Sequence, residues 1–271
     1  MIAIAVAIAA GTSSCNALLG IEERPLRLGS DEGGSPDAGE ADGASSSGAP
    51  DGTTIADGGS VCSAPHLFCD DFGGGDDDPA TRWDDLVLGA GPIDFDTSEF
   101  ESAPRSLRVR LTAGSGTRTT WIEKRIAVTA TAVTVAFDVR IDTPTSTDFG
   151  AIEYASVTLL PAGSDTVHTV ALFQYGTGEP TIGYYLSPPA GDTEQAALEP
   201  PLGHDAWHRI AFRIRLDASP KVSVSVDQKA AAVLPLASFP LREIRIGLGF
   251  GTAEANTTTT ARYDDVTVDL E

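Results

Sequence analysis

Basic residues are scarce in this chain: 18 Lys and Arg stand against 39 Asp and Glu, giving a formal charge of −21 and a pI near 4.3. A protein that grips a phosphate backbone needs a basic surface to displace counterions, so nucleic acid is excluded as a partner. Long apolar runs are missing too. The longest, Met1 to Ala10, is about half of what a helix needs to cross a bilayer. Cysteine is limited to Cys15, Cys62 and Cys69, and no further Cys or His stands at the spacing of a four-ligand zinc site. The sequence has no Gly-x-Ser-x-Gly elbow, no His-Glu-x-x-His and no phosphate loop, which leaves nucleophilic and metallohydrolase chemistry without an anchor. Amphipathic helical periodicity is also lacking, and this removes the helical fold classes.

The acid that is present is unevenly spread. Between Ser30 and Asp78 there are 12 Asp or Glu and no Lys or Arg, so much of the excess belongs to one segment. From about Leu28 to Ser60 the chain is Gly, Ser, Ala, Asp and Pro, with too little to bury to offset its ordering entropy. Residues 16–60 are therefore expected to form a disordered tether reaching about 30 Å. Ahead of it, the apolar start and Gly11-Thr-Ser-Ser-Cys15 resemble a bacterial secretory signal ending in a lipobox, in which the cysteine is lipidated and becomes the mature N-terminus. Thr12 stands where Leu is usual, and no basic residue precedes the apolar run. The resemblance implies residues 1–15 as signal, lipidation at Cys15, export across the inner membrane, and a lipid anchor in the cell envelope, at the outer membrane. It leaves Cys62 and Cys69 to pair. Six residues separate them, a loop a disulfide can close, and in an oxidising compartment the bridge contributes about 2 to 3 kcal/mol.

From Val61 the composition turns to β-branched and aromatic residues. In Trp207 to Leu216, the residues His208, Ile210, Phe212, Ile214 and Leu216 share one face, and Trp207, Arg209, Ala211, Arg213 and Arg215 the other. Asp217-Ala-Ser-Pro220 supplies a turn, and Val222, Val224 and Val226 then alternate with Ser223 and Ser225, which predicts an antiparallel hairpin. Similar patterns occur at Pro65–Phe72, Trp83–Leu88, Ser106–Leu111, Thr119–Val128, Ala132–Ile141, Leu241–Phe250 and Ala261–Leu270; Ala151–Leu160, Val167–Tyr175 and Thr181–Leu186 alternate less cleanly, as strands covered on both sides would, and Ser187–Asp205 reads as a looser stretch. About a dozen strands without helices predict one all-β domain over residues 61–271, a two-layer antiparallel sandwich.

Several motifs in this domain carry a family resemblance. Trp207-His208 at a strand start leads to a Val-x-Val-x-Val-Asp run ending at Asp227. With Phe68-Cys-Asp-Asp-Phe72, Ser102-Ala-Pro-Arg-Ser-Leu107 and Tyr263-Asp-Asp-Val266, it resembles the laminin-G-like branch of the concanavalin A-like lectin and glucanase jelly rolls. Gln228 stands where that family usually has Gly. The resemblance implies neighbouring first and last strands and a lectin-like module binding a carbohydrate or other surface component. A glycoside hydrolase or lyase, or an adhesion module meeting proteins, is the alternative. Signal, stalk and jelly roll together resemble the envelope lipoproteins of myxobacteria.

Candidate sites follow from chemistry within that frame. The polar side of the hairpin offers Trp207, Arg209, Arg213 and Arg215, with Tyr184 and Tyr185 ahead of the loop that precedes it; aromatic faces stack on sugars and guanidinium groups bind hydroxyls or carboxylates. The competing reading covers Trp207 with the Ser187–Asp205 stretch and pairs the arginines with Asp138, Glu243 and similar acids. Asp70, Asp71, Asp264 and Asp265 converge if the terminal strands pair, and since related jelly rolls carry a structural calcium, the resemblance extends to that cofactor. Asp94-Phe-Asp96-Thr-Ser-Glu99 approximates the Glu-x-Asp-x-x-Glu of the glucanase members, but with Asp first and near the start of the domain, where a turn or strand-edge role is expected. No catalytic residue is assigned. His208 is expected in the core.

Overall fold

The computed structural model describes residues 61–75, 78–146, 150–176, 178–187, 194–253 and 256–271. The signal, Cys15 and the tether lie outside the described residues. Two antiparallel sheets face one another across a single apolar core, as the alternating strands require. The first sheet has eight strands. They are β1 (Phe68–Asp70), β3 (Ile93–Asp96), β4 (Ser106–Leu111), β6 (Ala132–Ile141), β11 (Trp207–Arg215), β12 (Lys221–Val226), β13 (Lys229–Pro235) and β15 (Thr259–Leu270). Their order is β13-β12-β11-β6-β15-β4-β3, and β1 also pairs with β15. The second sheet has β2 (Asp85–Leu88), β5 (Arg118–Ala127), β7 (Ala151–Pro161), β8 (Val167–Gln174), β9 (Thr181–Ser187), β10 (Glu194–Ala197) and β14 (Leu241–Ala253), in the order β10-β9-β8-β7-β14-β5-β2.

The alternation read from the hairpin holds residue by residue. Ile210, Phe212 and Ile214 of β11 pair with Val226, Val224 and Val222 of β12, and all six are buried in the core. On β6, Val133, Val135, Phe137, Val139 and Ile141 do the same, with Phe137 against Phe212 and Tyr263. Three short strands lie outside the sequence expectations: β3, β10 inside the looser stretch, and β13. Each is an edge strand of four to seven residues, so among the described residues one flank carries no partner and the side chains need no clean alternation.

The family-like motifs meet their partners as structural locks. Cys62 and Cys69 are joined by a disulfide. In the opening motif, buried Asp70 accepts from Trp83 Nε1 at 2.9 Å, Arg82 at 3.0 Å and the Phe72 amide at 3.1 Å, while Phe68 and Phe72 pack on the Trp83 ring. The first and last strands lie side by side, Cys69 opposite Thr267. Along one edge β15 is flanked by β4 over Thr259–Tyr263 and by β1 over Val266–Val268. Asp264 and Asp265 sit where the neighbour changes, beside a register shift, and Asp265 adopts φ 49°. Buried Asp264 fills the gap by accepting from the amides of Glu101 and Ser102 at 3.0 and 2.8 Å. Arg105 lies over the Phe95 ring and donates to the Phe72 carbonyl at 2.8 Å.

Asp227 and Gln228 both have positive φ, 49° and 64°, so the two-residue turn between β12 and β13 uses the left-handed pair that fits hairpin twist. That conformation is why Gly is natural at position 228. The Asp227 carboxylate anchors the turn to β11 through the Arg209 amide (3.0 Å) and His208 Nδ1 (2.9 Å). His208 is therefore a turn-locking residue at the strand end, not the core histidine expected from its place in the alternation.

Candidate functional site

The outer faces of the two sheets are built differently. On the eight-stranded sheet the registers place Trp207, Arg140, Arg262, Arg108 and Asp94 in one row across five strands. Like charges so close need interleaved acids, and these are present. Arg262 is bonded to both oxygens of Asp142 at 2.8 Å and to Asp96 at 2.9 Å; Arg108 reaches Asp94 and Asp96; Arg110 reaches Asp94; Arg140 reaches Glu99. The Asp94–Glu99 run is thus the acidic half of an ion-pair lattice at the sheet edge. Burial alone would raise the Asp96 carboxyl, but bonds from Ser98 and Arg262 and the Arg108 charge hold it well below the ordinary carboxylate range.

The arginines of the hairpin belong to the same system. Arg209 donates to Asp138 at 2.9 Å, to the Asp265 carbonyl at 2.6 Å and to Thr267 at 3.2 Å; Arg213 pairs with Glu271, and Arg215 with Asp217. Glu243, expected among their partners, lies in the other sheet and pairs with Arg245. Trp207 is partly buried opposite Arg140. Tyr184 and Tyr185 are not brought to this group. They are on β9 of the seven-stranded sheet, opposite Val170 and Thr169.

The four carboxylates considered for calcium are each taken up by hydrogen bonds within the fold. Asp70 serves Trp83, whereas Asp71 accepts from the Gly73 amide at 3.1 Å. Asp264 and Asp265 share the Ser102 hydroxyl, at 3.0 and 2.9 Å. Among the described residues no three His, Cys, Asp or Glu side chains are grouped as metal ligands. Asp138 and Asp264 are opposite one another in register, and burial pushes each carboxyl up to about 7, against the bonds from Arg209 and Ser102 respectively.

The seven-stranded sheet presents a different surface. Gln195, Gly183, Ala171, Ser156, Gly247 and Glu123 form one row across six strands, about 24 Å at ordinary strand spacing. Its central four members are small. On one side run Thr169, Thr158, Arg245 and Arg125; on the other, Phe173, Glu153 and Trp121. Ala171 and Phe173 are buried but stand apart from the core cluster, which places them on the outer face. A Cβ at Gly183 would come within 2.2 Å of the Phe173 ring, so this glycine lets the ring lie across β9. Tyr175 packs edge-on against Phe173 at 4.9 Å and stays 45% exposed, an aromatic surface at the end of the row. Arg125 is bonded to Glu123 at 2.6 Å with Asp85 at 3.4 Å, and Arg245 to Glu243 at 2.7 Å.

Small residues on strands without clean alternation carry no charge or aromatic pattern that marks them in sequence. The available signal was Gly247-Leu-Gly249-Phe-Gly251, a strand with glycine at every second position, which marks a bulge or a close approach. Gly249 accounts for the bulge: its φ is 133°, and a Cβ there would meet the Thr120 carbonyl at 2.3 Å.

No protein-family model matches this chain, and no curated protein matches it in sequence. Solved structures do. An endo-β-1,4-glucuronan lyase from the fungus Trichoderma reesei is similar at 12% identity and TM-score 0.57, over 76% of this chain and 96% of that one. An alginate lyase from a Chlorella virus is similar at 13% identity and TM-score 0.51, over 70% and 93%. A carbohydrate esterase from a Shiga toxin-encoding bacteriophage is similar at 10% identity and TM-score 0.53, over 76% and 99%. The chain shares their jelly-roll fold. At these identities the likeness establishes the β-sandwich and no residue of a site.

Proposed function

We propose that this protein is an envelope lipoprotein whose jelly roll binds polysaccharide on the outer face of the seven-stranded sheet. The observation that carries this reading is the pairing of the exposed Tyr175 ring, seated on Phe173, with a row of small residues running across the sheet beside it. A sugar ring can stack on the exposed Tyr175 aromatic, with the exposed Gln195 beside it within reach of hydroxyls. The jelly-roll neighbours named for polysaccharide lyases and a carbohydrate esterase support the glycan as ligand class. Binding without cleavage is favoured because two of the glutamates of this face are committed to arginines, Glu123 to Arg125 and Glu243 to Arg245. In the same reading Cys15 carries the lipid and the acidic tether holds the domain away from the membrane.

The test is a polysaccharide-binding screen of the full chain carrying Cys15→Ser, so that the protein is released without lipid. Tyr175→Ala is expected to weaken saturable binding at least tenfold, and Trp207→Ala on the opposite sheet to change it less than twofold. Binding lost in the Trp207 variant alone would move the site to the eight-stranded face. Release of unsaturated oligosaccharide would replace binding by lyase activity.

A further inference from the structure

Resting on that reading, we infer that the polysaccharide is uncharged, unlike the polyuronates named for the glucuronan and alginate lyases that share the fold. The inference comes from the charge inventory of the face. Its described side chains include two cations, Arg125 and Arg245, directly opposite one another on β5 and β14. Four carboxylates accompany them: Asp85 and Glu123 beside Arg125, Glu243 beside Arg245, and Glu153 on β7. Both guanidinium groups are already bonded to carboxylates. A uronate would have to displace Glu123 or Glu243 and leave that glutamate without its partner beside the incoming anion.

The surrounding field acts in the same direction. The first sixty residues hold 9 of the 39 acidic residues and 2 of the 18 basic ones, so residues 61–271 alone retain a formal −14. A polyanion approaching this domain meets repulsion at long range and occupied arginines at short range. A neutral chain meets neither. Its hydroxyls can donate to Glu123 and Glu243 and accept from Arg125 and Arg245 without breaking the pairs, and Tyr175 stacks on an uncharged ring as readily as on an acidic one.

The experiment measures binding of the Cys15→Ser chain to β-glucan, mannan and chitin oligosaccharides on one arm, and to alginate and polyglucuronate on the other, at 50 and 500 mM salt, both chosen as roughly a Debye-length contrast. The expected result is binding on the neutral arm that changes less than about twofold with salt, and none on the uronate arm. A Glu123→Gln, Glu243→Gln double variant removes the nearest carboxylate from each arginine, leaving only Asp85 at 3.4 Å from Arg125, and is expected to gain uronate binding that salt abolishes. Saturable binding to uronates alone, weakened by Tyr175→Ala, would overturn the inference and leave the glycan-binding reading standing. Binding on neither arm would overturn both.

Discussion

The two outer faces of this sandwich use the same residue types to opposite ends. On the eight-stranded sheet, arginine and aspartate are stacked in rows so that neighbouring charges share partners: Arg262 holds Asp96 and Asp142, and Arg108 holds Asp94 and Asp96. On the seven-stranded sheet the arginines are fewer and pair with a neighbour on their own strand, Glu123 with Arg125 and Glu243 with Arg245, and the centre is left to Gly247, Ser156 and Ala171. A surface whose polar groups satisfy one another has little to offer a ligand, since any new contact must first break an old one. Charge density is thus a poor guide to function here; what distinguishes the candidate face is a row of small residues beside an exposed ring.

The contrast can be broken most directly by deleting one arginine from each face. Arg262→Ala should cost about 3 kcal/mol in urea unfolding, because it leaves the 3%-exposed Asp96 carboxylate without its closest cation. Arg245→Ala should cost less than about 1 kcal/mol, as its pair is partly exposed and local. Equal losses would mean that the lattice is no more structural than the other face. Next in size is Cys69→Ser, which frees the segment ahead of β1 from its loop constraint. A loss of about 2 kcal/mol is expected, and a reducing agent should destabilise the wild type but leave the variant unchanged.

Asp138 and Asp264 sharpen the comparison through pH. Their folded carboxyls titrate at about 7 and unfolded ones near 3.8, so the folded state keeps protons that the unfolded chain releases. Their contribution to stability is complete below about pH 4 and is lost as pH rises towards 7. Asp96, held low, contributes in the opposite sense and loses its contribution only as pH falls below the ordinary range. Unfolding free energy should therefore rise between pH 7.5 and 5.5, and Asp138→Asn with Asp264→Asn should flatten that slope; an unchanged slope in the double variant would assign it elsewhere. The smallest effect is a gain. Gln228→Gly should stabilise by about 0.5 to 1 kcal/mol, measured by thermal unfolding, because a left-handed φ of 64° strains a side chain that Gly lacks.

The reading of the chain succeeded where one strand's pattern was enough. Ile210, Phe212 and Ile214 must face a core wherever β11 lies, and Cys62 and Cys69 are close enough in sequence to meet in most folds. It failed where a residue's role depends on what lies across the sheet. His208 follows the inward alternation but is claimed by Asp227 from the next strand. Arg209, Arg213 and Arg215 share one face with Trp207 in sequence, and each turns out to be occupied. Tyr184 and Tyr185 precede the hairpin closely in the chain, but the chain crosses from one sheet to the other between them.

Sequence by itself determined the all-β class, the inward faces of the long strands and the disulfide, because period-two burial and short loop closure are local properties that survive any arrangement of the rest; the neighbourhood of the first and last strands came from the family resemblance. Tertiary structure alone decided which arginines are spent and which small residues line up beside Tyr175. Ion pairs between Arg262 and Asp96, or the row through Gly247 and Ser156, exist only once residues far apart in the chain are set in register, and register is fixed by the packing of the whole sandwich.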